Sequence, residues 1–205
     1  MPVAVIGEAA VDLVAQVDEL PTRGGFALAR ACSRFAGGSA GNVAAALARL
    51  GHPVSFFGQA GDDDDGRFLT RAFARAGVDA AQFLLLPDYE TPRCLVVVED
   101  GGARTILGFP RTATGLRAED FDLRGIGSAA SVFIGPTHTG LARQMTLKAE
   151  LGSAMTCYAP GGLCLCLTPS ELEPVLRQMD VLFLNEGEAA ALTGLSDPRQ
   201  AVDRL

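Results

Sequence analysis

Short, unbroken apolar runs alternate with segments of helical periodicity along this chain, and that alternation constrains its fold more than any other feature. Val3 to Ile6 is an apolar run closed by Gly7, the pattern of a buried strand. Residues 39–50 place Val43, Leu47 and Leu50 at helical spacing, with Ser39 as a candidate N-cap and Gly51 as the stop. Val54 to Phe57 is a second apolar run. From Asp64 to Ala76, the residues Phe68, Leu69, Ala72, Phe73 and Ala76 recur three and four apart, so a second amphipathic helix follows and stops at Gly77. Strands are predicted again at 132–134, 154–158 and 181–184, and helices near 140–151, 170–178 and 187–193. Strands that are apolar throughout must be covered on both faces, and strands joined through helices run parallel. The prediction is an α/β fold in three layers, a parallel sheet between two layers of helices.

Two segments break the rhythm. Ala27 to Phe35 and Cys94 to Leu107 are strand-like, and Glu99-Asp100-Gly101-Gly102 has the composition of a hairpin turn inside the second. Strands without intervening helices predict a small second sheet outside the main layers, built within about residues 13–35 and 92–110. Asp197 to Leu205 reads as the opening of a helix without a stop signal.

Composition narrows the class. With 205 residues, 48% of them hydrophobic and 20% charged, the chain has the make-up of a globular domain with a substantial core. A net charge of −7 with arginines scattered among acids argues against a nucleic-acid partner, whose phosphates need a basic patch. No apolar stretch approaches the roughly 18 residues of a membrane span, and no basic leader precedes the first strand. The five cysteines are odd in number and lie mostly in apolar runs, which predicts free thiols and a cytoplasmic protein. Cys164 and Cys166 have the wrong spacing for a zinc knuckle and no partner pair.

Candidate chemistry concentrates at Phe35-Ala36-Gly37-Gly38-Ser39-Ala40-Gly41-Asn42, which runs from a strand-like segment into a helix N-terminus. Glycines there admit a ligand close to the backbone, and free N–H groups with the helix dipole favour polar or anionic atoms. Neither Gly-x-Gly-x-x-Gly nor a following Lys-Ser/Thr is present, so the two common nucleotide fingerprints do not apply. A nicotinamide-dependent oxidoreductase is disfavoured on the same ground. A tight turn with Asn42 as a local hydrogen-bonding residue is the structural alternative.

The spacing around this loop resembles the ribokinase/PfkB family of small-molecule kinases. Gly37-Gly38 is followed by Asn42, small Ala44, six residues to Gly51 and nine more to Gly61. Upstream, Gly7-Glu8 with Asp12 is similar to the family's first strand and sugar-binding aspartate. Gly61-Asp62-Asp63 with Gly66, Gly77-Val78-Asp79, Thr91, the turn Asp100 to Thr105, and Asn185-Glu186-Gly187-Glu188 before Leu192-Thr193-Gly194 continue the pattern. The resemblance implies a ribokinase-like fold with a β lid and ATP- and Mg2+-dependent phosphorylation of a hydroxyl on a sugar or nucleoside. It implies that Asp12 accepts from acceptor hydroxyls, that Gly37 and Gly38 lie against the sugar ring, and that Asn42 bonds a further hydroxyl. A carboxylate suits the first task because it accepts from two hydroxyls at once. On residue type alone, Asp12 also reads as a turn or capping residue. Asn185 and Glu188 are implied near the phosphates, Glu188 with an indirect part in holding magnesium, although a first-turn glutamate also suits the helix dipole. Arg104 in the hairpin and His138 after the 132–134 strand are candidate acceptor contacts, or else an exposed hairpin arginine and a loop histidine. The lid is also a candidate homodimer surface.

There are departures from the family pattern. Ala10 stands where ribokinase-type members often carry a polar residue, which leaves ribose, fructose, a sugar acid or a nucleoside open as acceptor. The family's second signature, a Gly-Ala-Gly-Asp-like run with the catalytic aspartate and anion hole, occurs nowhere in these residues. The loops for adenine and a monovalent cation would lie beside it. The expectation is a truncated or split kinase, inactive by itself, or alternatively a non-catalytic sugar-binding or regulatory remnant.

Overall fold

A computed structural model describes residues 1–109, 121–122, 126, 129–136, 154–162, 172–173, 176–177 and 179–204. The elements, in chain order, are β1 (Val3–Ile6), β2 (Ala10–Val17), β3 (Ala31–Gly37), α1 (Ser39–Arg49), β4 (Val54–Gly61), α2 (Asp64–Ala76) and β5 (Asp79–Leu86). They continue as β6 (Arg93–Glu99), β7 (Arg104–Phe109), β8 (Ser131–Ile134), β9 (Met155–Tyr158), β10 (Val181–Leu182), α3 (Glu186–Thr193) and α4 (Pro198–Arg204). The helices predicted near 140–151 and 170–178 fall largely outside the described residues.

Six strands form one parallel sheet in the order β10-β9-β8-β1-β4-β5. Its central strands are apolar at successive positions because both faces are covered. On one face Val5, Phe56 and Phe83 pack with Ala44 of α1 and with Leu69 and Phe73 of α2. The rings of Phe56, Phe73 and Phe83 interlock, with centroids 4.5 to 5.6 Å apart. On the other face Ala4, Ile6 and Phe57 meet Ile126, Val132, Ile134 and Tyr158. Among the described residues, no helix is long and apolar enough to cross a membrane.

The second sheet has four strands in the order β3-β2-β6-β7, with β2 parallel to β6 and the other pairs antiparallel. Its location differs from the sequence-based expectation at both ends of its first segment. It begins at Ala10, not near residue 13, and β3 starts at Ala31 and runs on to Gly37. Asp12 therefore lies inside a strand of the small sheet and does not simply leave the first strand. The cause is Gly7, whose φ of 151° turns the chain out of the parallel sheet after only four residues of β1. The sequence reading also placed no strand at β5, which opens with polar Asp79 and contains Gln82, so its apolar run is short.

This topology locates a crevice. From β1 the parallel sheet extends one way through β4 and β5 and the other way through β8, β9 and β10. Ligands of open α/β sheets bind at such a reversal, beyond the carboxyl ends of the strands. Here the N-terminus of α1 closes on that point. A Cβ placed on Gly7 would lie 2.7 Å from the Ala40 Cβ, and one on Gly135, just after β8, would lie 2.9 Å from it.

Candidate functional site

The small sheet and the mouth of α1 meet at Gly37 and Gly38. In the β2–β3 ladder Ala10 pairs with Gly37 and Asp12 with Phe35, so Asp12, Phe35 and Gly37 share one face of the sheet. The Asp12 carboxylate folds over Gly37. A Cβ at Gly37 would overlap that carboxylate, coming within 2.6 Å of its Cγ. Gly38 has φ 82° and forms the N-cap of α1, and a Cβ there would lie 2.7 Å from the Glu8 carbonyl oxygen and 2.8 Å from the Ala10 nitrogen. Both glycines are thus required by close approach of 8–12, and Gly38 also by its left-handed backbone. No side chain caps α1 and its first turn holds no acid, so the positive end of the helix is not neutralised by its own residues. Asn42 lies one turn further along, its N–H bonded to the Gly38 carbonyl at 2.9 Å and its side chain exposed. Gly37 and Asn42 line one small cleft with Leu69 and Phe73.

On its other side Asp12 pairs with Cys94 of β6. Burial raises the Asp12 carboxyl above its ordinary range, and the Cys94 thiol, donating to it, draws it part of the way back. The thiol is raised in turn, first by burial and then by the charges of Asp12 and Glu8. A half-buried acceptor carboxylate beside a helix mouth that no side chain caps is suited to bind hydroxyl groups, from which it accepts hydrogen bonds and whose oxygens the free helix N–H groups can meet.

The remaining candidates are spread more widely. Arg104 opens β7 opposite Val98, at the far end of the β6–β7 ladder from the Cys94–Gly108 pair, and is exposed. His138 lies outside the described residues. Asn185 and Glu188 bracket the start of α3 in a reciprocal capping box. The Glu188 N–H donates to Asn185 Oδ1 at 2.8 Å, and the Asn185 N–H donates to Glu188 Oε2 at 3.1 Å. Asn185 Nδ2 also donates to Glu188 Oε1 at 2.8 Å. This box accounts for both residue types on structural grounds. It also leaves the part-exposed Glu188 carboxylate pre-oriented with lone pairs to spare, an oxygen donor of the kind that would suit magnesium. Among the described residues, no group of three or more His, Cys, Asp or Glu could hold a metal by itself.

Sequence reasoning passed over Cys94 and Phe35 as site neighbours. A cysteine in an apolar run and a phenylalanine before a glycine loop look like packing residues. Only the strand register sets them on either side of Asp12.

The chain is 32% identical over 181 residues to an ATP-dependent ribose-1-phosphate kinase of Halopiger xanaduensis, covering 88% of this chain and 60% of that protein. It is 30% identical over 196 residues to Fructokinase-1 of Zea mays, covering 87% of this chain and 60% of the relative. The chain thus spans about 60% of the length of these curated relatives. Among solved structures, Arabidopsis thaliana ribokinase complexed with ribose and ATP superposes with a TM-score of 0.81 at 22% identity, covering 99% of this chain and 67% of that one, a likeness of fold. The pfkB family carbohydrate kinase model matches residues 2–205. Sheet order, glycine loop and family match converge: the chain belongs to the pfkB family of carbohydrate kinases.

Proposed function

We propose that this chain binds a sugar or sugar-like acceptor between Asp12, Gly37, Gly38 and Asn42 for ATP-dependent phosphorylation of one of its hydroxyls. The observation that carries the reading is the Asp12 carboxylate lying on the bare backbone of Gly37, beside the start of α1, which no side chain caps. Asp12 accepts from acceptor hydroxyls, the two glycines let the ring approach the main chain, and Asn42 supplies a donor and an acceptor at the rim. The small sheet acts as a lid that excludes water, which would otherwise compete for the phosphoryl group. Asn185 and Glu188 would lie toward the phosphates of the donor, where magnesium would supply neutralisation of phosphate charge. Arg104 and His138 are secondary candidates for acceptor contact, the latter outside the described residues. The family names and the ribose and ATP bound to the Arabidopsis neighbour support a sugar acceptor and an ATP donor. The residues here bind and orient the acceptor. The compartment proposed is the cytoplasm, where thiols such as Cys32, Cys94 and Cys157 stay free.

The test is calorimetric titration of the chain with D-ribose, D-fructose and a ribonucleoside, each repeated on Asp12→Asn. Saturable binding of one of them, weakened about tenfold or more by the substitution, is the expected result. Binding that Asp12→Asn leaves untouched would remove the basis of this reading.

A further inference from the structure

Asp65 sits in the first turn of α2, yet it is only 7% exposed. An aspartate is held at such burial when its charge is matched. Its Oδ1 pairs with Arg34 of β3 and its Oδ2 with Arg93 of β6. Those two strands flank β2, the strand that carries Asp12. Arg34 is held further: its Nη2 donates to the Asp64 carbonyl at 3.0 Å, and its guanidinium lies 4.2 Å over the Phe68 ring. Arg34 pairs with Leu13 and Arg93 with Val11, so both arginines emerge on the face opposite to Asp12. One carboxylate on the main body therefore grips the small sheet on both sides of β2, directly behind the acceptor site.

We propose that Asp65 is a positioning residue: by bridging Arg34 and Arg93 it sets the angle of the small sheet against α2, and so where Asp12 stands relative to Gly38 and the mouth of α1. The inference rests on the acceptor-binding reading above for its consequence, though not for its geometry. The arginine side chains are 36% and 41% exposed and the carboxylate 10%, so the desolvated member is the aspartate. Loss of one arginine leaves the carboxylate its second partner. Neutralising Asp65 releases both strands together. Loss of both arginines strands a buried charge and has the largest effect.

Amide hydrogen exchange followed by mass spectrometry separates these cases in Asp65→Asn, Arg34→Gln, Arg93→Gln and the double arginine variant. Asp65→Asn is expected to speed exchange in β2, β3 and β6 by about tenfold while β1 and β4 keep their rates. Each single arginine variant should give a smaller rise and the double variant a larger one. Affinity for D-ribose or D-fructose should fall in the same order. Unchanged exchange in the small sheet overturns the proposal, and so does an equal rise in β1 and β4, which would mark Asp65 as a general stabiliser. Should Asp65→Asn fail to fold, Arg93→Gln, at a partly exposed residue, carries the same comparison. If the unmodified chain binds neither sugar, the acceptor reading fails alone and the exchange pattern still decides the role of Asp65.

Discussion

In the proposed acceptor site Asp12 accepts from hydroxyls as a carboxylate, and burial makes ionisation harder for it than for an aspartate in water. Acceptor affinity should therefore weaken as pH falls through a value above the ordinary carboxylate range. Stability runs the other way. With its folded-state pKa raised, native Asp12 keeps a proton where the unfolded chain has released it, so its contribution is present at low pH and lost as pH rises through that interval. Titrating affinity and urea stability over roughly pH 4 to 7 separates the two trends, and Asp12→Asn should flatten both. Gly37 is bound to the same geometry. Gly37→Ala forces the carboxylate aside and should cost about 1–3 kcal/mol with loss of acceptor binding, read by urea unfolding and calorimetry. At this scale the sequence marked Asp12, Gly37, Gly38 and Asn42 through its resemblance to the family. It was silent on Cys94, because a thiol carries no local sign of the carboxylate that the register sets beside it.

Between elements, Asp63 makes the joint between α2, the end of β4 and the segment leading into β6. Its Oδ1 caps α2 by accepting from the Gly66 N–H at 2.8 Å and also accepts from the Thr91 hydroxyl at 2.7 Å. Its Oδ2 accepts from the Thr91 N–H at 3.0 Å, while the fully buried Thr91 hydroxyl oxygen takes the Gly61 N–H at 3.0 Å. Burial alone would raise the Asp63 carboxyl, but the bonds from Thr91 and Gly66 and the nearby Arg93 charge outweigh it and hold it below its usual range. Its stabilisation is therefore present above the ordinary carboxylate pKa and lost as pH falls through the depressed one. Asp63→Ala should cost about 1–2 kcal/mol at neutral pH, and its stability should fall less steeply in acid than that of the unmodified chain, both read from urea melts. The elements that the sequence located well, α1 and α2, have one buried face and a glycine or leucine-glycine stop, so their pattern is strong. The strands of the small sheet were located less well. Most of β3 and all of β7 are exposed and β6 is half-buried along its length, so no one-sided alternation marks their ends.

For the molecule as a whole, the small sheet is the surface that the main body leaves uncovered. Phe35, Ile106, Leu107 and Phe109 are each about half exposed there, and β3 and β7 are its open edges. Exposed apolar strands at an open edge favour pairing with another copy. Sedimentation should show concentration-dependent self-association of the chain that Leu107→Asp reduces, and unchanged sedimentation would remove the small sheet as a homodimer surface. The sequence by itself determined the layered architecture, because a strand buried on both faces and a helix buried on one write different periods into the chain. It determined too that glycines and small residues crowd the start of α1. Tertiary structure alone decided which side chains meet: Asp12 with Cys94, Asp63 with Thr91, and Asp65 with Arg34 and Arg93. Periodicity records whether a residue is covered, whereas its partner across a ladder or a layer comes from a distant part of the chain and is set by register, which no local pattern carries.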